Sequence, residues 1–407
     1  PNRIPPFIRN EFGFTNGGPV VIPRVYDGRN PTFYFIEYQG FRQVYSATEV
    51  IPVPSLAERA GRDATAFPGD VLLIPVDPRI AKVLARYPLP NDPQGPDGAR
   101  TYASSSKVTT VSNQASARID HRISSRSQLL ARFTMENTAG PLTNPSQTVI
   151  DPSFAVGFTD QQRNAVLTYT RTLPSGFVSL SSVSYTRATP AFPTVNHTDP
   201  ALTFGDGLYE AFNAAGGSVQ NVLGNLFQVR QDFTWIRGKH TFKAGGEVRA
   251  NRDTTLFGIT PNGQYQFGGG TAYSPVAIHS LSGGHDINAG DPLPDALAGF
   301  LTASAFSYTA SVAPPQFAQG SHIGESAIRR DAYNVYAQDS WKISSRLLLN
   351  YGLRYEVVTP IREGSRRTSA PVVSGPGAGT TLTINPDPGY QLDKSGWGPR
   401  AALEWRA

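Results

Sequence analysis

Six histidines, His121, His197, His240, His279, His285 and His322, are the residues of this chain best suited to metal or proton chemistry. No two stand at the three- or four-residue spacing that lets imidazoles of one element share a metal. His285-Asp286, in a Gly-rich stretch, sets a ring beside a carboxylate, and a solvated loop pair is its plainer reading. Gly238-Lys239-His240 carries the Gly-Lys step of a phosphate loop, but the earlier glycine is missing and the setting is a turn between strands. Gly375-Pro376-Gly377-Ala378-Gly379 is low-complexity loop and no nucleotide fingerprint. The chain has no cysteine, which removes thiolate catalysis, disulfides and Cys-based metal sites together. No cofactor and no enzymatic activity are implied.

The carboxylates Asp120, Asp232, Glu247 and Glu356 are the remaining candidates for acid–base work. They share their neighbourhood with Arg118, Arg122, Arg249 and Arg354, so ion-pair ladders that hold a wall are the favoured reading over a catalytic pair. Four aromatics of one long connection, Tyr265, Phe267, Tyr273 and Phe306, are candidates for stacking on a ligand, with packing of the loop onto itself as the alternative.

The elements that must position these residues are strands. In Leu347 to Glu356, Leu347, Leu349, Tyr351, Leu353 and Tyr355 fall on one face and Asn350, Gly352, Arg354 and Glu356 on the other. Phe242, Ala244, Gly246, Val248 and Ala250 likewise oppose Lys243, Gly245, Glu247 and Arg249. Strands come in pairs joined by very short turns near Ser125, Ser175, Gly238 and Ser345. Between the pairs run long connections rich in Pro, Gly, Asp and Asn, at about 46–112, 138–160, 189–225, 253–326 and 359–395. Compact soluble domains seldom carry several structureless connections beyond about 12–15 residues. An outer-membrane barrel requires the alternation, with short turns periplasmic and long loops extracellular.

The predicted fold class is therefore all-β: a partial transmembrane antiparallel β-barrel of about eleven strands within one domain covering residues 1–407. A basic group at the bilayer midplane costs about 2–4 kcal/mol, so Lys243, Glu247, Arg249, Arg354 and Glu356 are assigned to a lumen-facing charged wall. Trp235, Trp341, Tyr336 and Tyr351 are assigned to strand ends or apolar faces, where aromatic girdles form. Within the first long connection, Asp77 and Pro78 open a short amphipathic helix whose stripe is Ile80, Val83, Leu84 and Tyr87. Asp295 to Leu301 is a second, weakened by Gly299.

Composition agrees. The 39 Gly and 34 Pro suit turns, and 16% charged residues is low against roughly 25% for a soluble domain. A balance of 36 Lys+Arg against 31 Asp+Glu with no basic run argues against nucleic acid as a partner. No stretch approaches the roughly 18 apolar residues of a transmembrane helix. The chain opens at Pro1 and stops inside a strand-like run, and it is read as an internal stretch of a larger barrel.

Asn10-Glu11-Phe12-Gly13-Phe14-Thr15-Asn16-Gly17-Gly18-Pro19-Val20, followed by Thr32-Phe33-Tyr34-Phe35-Ile36-Glu37-Tyr38-Gln39-Gly40-Phe41-Arg42, resembles the early barrel hairpin of Oar-like TonB-dependent receptors. Further windows agree in order and spacing, among them Ala117 to Ile123, Tyr336 to Lys342 and Leu349 to Glu356. The resemblance implies a barrel of about 22 strands with a plugged lumen, preceded by a regulatory-like domain and a plug. It implies residence in the outer membrane of a Gram-negative bacterium, with membrane lipid as a partner. It also implies coupling to the TonB–ExbB–ExbD complex through a segment upstream of Pro1. Energised passage of a bulky solute follows as the expected function, the ligand being an iron chelate, oligosaccharide, peptide or protein. The alternative is an outer-membrane adhesin or surface-binding protein that the barrel merely anchors. A secreted all-β carbohydrate-active enzyme is a third class, which predicts a water-soluble protein.

Overall fold

The computed structural model describes residues 6–141, 145–258, 260–311, 325–364, 369–373, 380–384 and 390–405. Eleven strands form one continuous antiparallel wall: β1 (Phe7–Pro19), β2 (Thr32–Pro52), β3 (Thr101–Ser124), β4 (Ser127–Pro141), β5 (Gly157–Leu173), β6 (Phe177–Ala188), β7 (Val219–Arg237), β8 (His240–Gly258), β9 (Glu325–Lys342), β10 (Leu347–Val358) and β11 (Trp397–Trp405). Each pairs with its neighbour in sequence, so the wall is an up-and-down meander. The tight turns have the backbone their residues allow. Between Arg237 and His240, Gly238 takes φ 59°, the first position of a two-residue hairpin that glycine fills without strain.

The register carries the period-two pattern across the wall. Val248 lies opposite Val229 on one side and Tyr333 on the other, and Val335 lies opposite Tyr355. These side chains build one apolar face, and no second layer covers it among the described residues: Val229 is 56% exposed and Val335 57%. A contiguous uncovered apolar sheet face has no stable home in water and a natural one in lipid.

Strands β2 and β3 run for 21 and 24 residues, where a tilted membrane crossing needs about 9–11. The first long connection consequently shrinks from the predicted 46–112 to residues between Pro52 and Thr101. Ser46 still pairs with Lys107 and Thr48 with Ser105. Both faces are polar there, so the alternation that reveals a strand disappears while the hydrogen-bonded ladder continues. Likewise β7 begins at Val219 and β8 runs to Gly258, inside segments whose composition marks them as loop.

The buried apolar core of the chain is in the connections and not in the wall. Leu84 from the first connection, Phe154 from the second, Phe212 from the third and Phe300 from the fourth belong to one cluster. Short helices support it: α1 (Leu56–Arg59), α2 (Pro78–Leu84), α3 (Pro145–Ile150) and α4 (Ala296–Leu301). Ser55 and Glu58 close a capping box on α1, Asp77 caps α2 with Pro78 in its first turn, and Asp295 caps α4. Four loops thus fold together into a cap that stands on the extended ribbons.

Candidate functional site

The face of the wall opposite the apolar one is ionic, and its charges pair within strands. Arg118 Nε is 2.7 Å from Asp120 Oδ2, Arg230 Nε 2.5 Å from Asp232 Oδ2, and Arg249 Nη2 3.0 Å from Glu247 Oε2. Arg354 and Glu356 form a fourth such pair. Residues two apart on a strand share a face, and an Arg side chain is long enough to span the gap. The four carboxylates thus stand in ion pairs and not in a catalytic pair, while Arg122, expected among the partners, has no carboxylate within 4.0 Å among the described residues.

On this face, hydrogen bonds that join a neutral group to a charged one supply the rungs between strands. Gln228 Nε2 and Asn334 Nδ2 each donate to the Glu247 carboxylate at 3.0 Å, and Asn334 stands directly opposite Glu356. Tyr336 Oη donates to Asp232 Oδ1 at 2.7 Å, and Arg400 donates to Gln338. Glu247, Arg249, Arg354 and Glu356 are therefore brought onto one polar surface. Lys243 shares that face in register, opposite Thr234 and Gln338, and has no carboxylate within 4.0 Å among the described residues. Tyr336 belongs to this surface as well, which corrects its assignment to a strand end or apolar face.

Near the short-turn end, the apolar face holds a polar cluster that sequence reading missed. His240 Nδ1 lies 2.7 Å from Asp339 Oδ2, and Tyr351 Oη donates to the same oxygen at 3.1 Å. The imidazole stacks on Phe242 and Trp341, and Arg237 stands over the Trp235 ring at 5.3 Å. Rings with polar tips at this level mark a membrane interface. The period-two register of Asp339 with the apolar residues Trp341 and Ala337 was the available signal.

In the cap, one arginine ties three connections. Arg86 bonds Asp151 at 2.7 Å and Asp199 at 2.5 Å, and its guanidinium lies 4.8 Å from the ring centres of both Phe154 and Phe212. Arg59 donates to the carbonyls of Pro54, Leu84, Tyr87 and Pro88. Burial pushes the Tyr87 and Tyr209 hydroxyls up, which keeps both neutral. Burial, joined by the charge of Asp63, raises Asp295 to about 6, whereas the Arg79 guanidinium holds Asp77 down at about 2.

The candidate aromatics separate in space. Tyr265 is exposed and meets Tyr308, its cross-strand partner, at 4.6 Å between ring centres. Phe267 is 3% exposed and packs between Phe204 and Phe300. Its role as a ligand contact is corrected: it is core, because a ring in the period-two register can turn inward at the end of so short a strand. Tyr273 and Phe306 are exposed, the latter lying against Gly270. Tyr308, two residues after Phe306, completes the surface and was legible by the same alternation.

His285 pairs with Asp70 and not with its neighbour Asp286: Nδ1 is 3.0 Å from Asp70 Oδ2, and the ring stacks on Phe67 at 4.2 Å. Ser280 Oγ donates to that same carboxylate at 2.6 Å and so makes no nucleophile–base pair with the imidazole. The Ser280 hydroxyl, with Ser282 and His285, holds the Asp70 carboxyl well below the usual carboxylate range. No group of three or more His, Cys, Asp or Glu able to hold a metal occurs among the described residues. His322 and Gly375 to Gly379 lie outside them.

A sheet that is ionic on one face, bare and apolar on the other, with short turns at one end and folded loops at the opposite end, is the wall of a transmembrane β-barrel. The chain belongs to the outer membrane beta barrel domain family, whose model matches residues 1–407, and it resides in the outer membrane of a Gram-negative bacterium. No curated protein matches it. Among solved structures it is similar to the outer membrane transporter YddB from Escherichia coli, at 11% identity and a TM-score of 0.47, covering 88% of this chain and 35% of that one. It is also similar to the ferric enterobactin receptor PfeA from Pseudomonas aeruginosa, at 8% identity and a TM-score of 0.42, covering 86% and 37%. The copper transporter OprC gives 9% identity and a TM-score of 0.39, covering 99% and 43%. The chain thus spans less than half the length of these solved chains.

Proposed function

We propose that this chain is the wall segment and extracellular cap of a TonB-dependent receptor that passes a bulky solute through the outer membrane. The observation that carries the reading is the two-faced wall. Its ionic surface, with Lys243, Glu247, Arg249, Arg354 and Glu356, lines a lumen wide enough to need a plug, because small barrels fill their interior with side chains instead. Charges paired within strands leave that lining polar and hydrated without swelling it apart. The family resemblance of the barrel hairpins supports the coupling of the plug to the TonB–ExbB–ExbD complex.

The cap is the ligand-capturing part. Tyr265 and Tyr308, with Tyr273 and Phe306 nearby in the same connection, offer exposed rings on a rigid base, as stacking on a planar or sugar-like ligand requires. No bond is made or broken in this reading. Uptake by cells expressing the full-length protein tests it: accumulation of the solute is expected to stop when the energy-coupling complex is deleted. Binding that persists on intact cells while accumulation is absent in both strains favours the anchored adhesin and overturns transport.

A further inference from the structure

The two ends of the wall carry opposite charge. The short turns, at 20–31, 122–126, 171–176, 237–239 and 342–346, hold nine Lys and Arg against one carboxylate, Asp27. The first four long connections, at 53–100, 142–156, 189–218 and 259–324, hold six Lys and Arg against thirteen carboxylates. All nine basic residues of the turns are exposed, and Arg29 alone among them has a carboxylate within 4.0 Å among the described residues, Asp27 at 3.8 Å. Elsewhere on the wall Arg118, Arg230, Arg249 and Arg354 pair with carboxylates of their own strands and Arg252 with Asp331 of the next, so the turns stand out as a row of cations with one carboxylate among nine.

We infer that the periplasmic rim binds the anionic phospholipid headgroups of the inner leaflet. Three observations choose a lipid surface over a compact acidic partner. The charges follow the wall: each hairpin adds two strands about 4.8 Å apart, so successive turns are spaced roughly 10 Å along the rim, near the spacing of headgroups. They also sit at interfacial height, since Arg237 covers the Trp235 ring and Lys239 Nζ bonds the Ile343 carbonyl beside Trp341. Finally, Arg171 shares the lipid-facing side of β5 with Leu167 and Tyr169, next to the turn of Arg126. Beside it Gln231 Nε2 donates to Ser179 Oγ at 2.9 Å, and Ser181 donates to Gln231, a polar patch on an otherwise apolar face. A phosphate there meets a guanidinium and hydroxyls while its acyl chains lie on the apolar wall below.

The test uses the full-length protein reconstituted in bilayers of phosphatidylethanolamine with brominated phosphatidylglycerol or, in parallel, brominated phosphatidylcholine. Quenching of the interfacial tryptophans reports which lipid occupies the rim. Wild type is expected to prefer phosphatidylglycerol several-fold, and the combined variant Arg126→Gln, Arg171→Gln, Arg237→Gln, Lys239→Gln to bring the two lipids to equality. Should the variant fail to assemble, wild type in high salt serves in its place, because screening removes the preference if it is electrostatic. Excess inorganic phosphate is expected to leave the quenching unchanged. Equal quenching by both lipids in wild type, a preference that survives both the variant and salt, or displacement by free phosphate overturns the inference. So does tight binding of an acidic periplasmic protein to the same four residues in the absence of any lipid preference.

Discussion

Tyr336 on β9 reaches across β8 to hydrogen-bond Asp232 on β7 at 2.7 Å, and it passes directly over Gly245. A Cβ at position 245 would lie 2.7 Å from Asp232 Oδ1 and 2.8 Å from Tyr336 Cε1. The glycine is therefore the space through which two strands that are not neighbours are tied. Arg400 reaches Gln338 over Gly352 in the same manner.

Gly245→Val is expected to break this tie and crowd the Gln231 carbonyl, destabilising the wall by about 1–3 kcal/mol. Tyr336→Phe, which removes only the hydroxyl, costs about 1–2 kcal/mol. Urea titration followed by the gel shift between folded and unfolded barrel measures both. The two losses should not add, since each disrupts the same contact.

Charge placed on the two faces separates lipid from lumen. Val229→Lys on the apolar face is expected to cost about 2–4 kcal/mol near the midplane and to lower assembly into membranes. Gln228→Lys, one residue earlier and on the ionic face, should assemble normally. Equal tolerance of both lysines would remove the two-faced wall.

The aromatic rings of the cap divide by burial. Phe267→Ala leaves a cavity between Phe204 and Phe300 and is expected to destabilise the cap by about 3–5 kcal/mol, read as faster amide exchange in the four connections. Tyr265→Ala and Tyr308→Ala should leave exchange nearly unchanged while weakening ligand binding to cells.

Asp295 gives the cap a pH dependence of definite sign. Its folded value of about 6 lies above the ordinary 3.8, so the folded state holds the extra proton between those values. Stability falls as pH rises from about 4 to 6 and is level above, by an amount of about 1 kcal/mol after solvent screening. Asp295→Asn keeps an acceptor for the Ala298 amide and should flatten the slope. Thermal melting of the cap across that pH range, in wild type and variant, checks it.

The sequence by itself determined the wall: eleven strands, their two faces, the short and long connections, and the helix that Asp77 and Pro78 start. These follow from alternation and capping, which act over two to four residues and leave their mark locally. It also placed Glu247, Arg249, Arg354 and Glu356 on one face, but not which charge each would meet. Only the tertiary structure decided that Phe267 is core while Tyr265 is surface, that His285 takes Asp70 over its own neighbour, and that β2 and β3 continue through polar sequence. Those outcomes depend on groups tens to hundreds of residues apart meeting in the cap or across the sheet. Burial and pairing are properties of that meeting, and no local pattern encodes them.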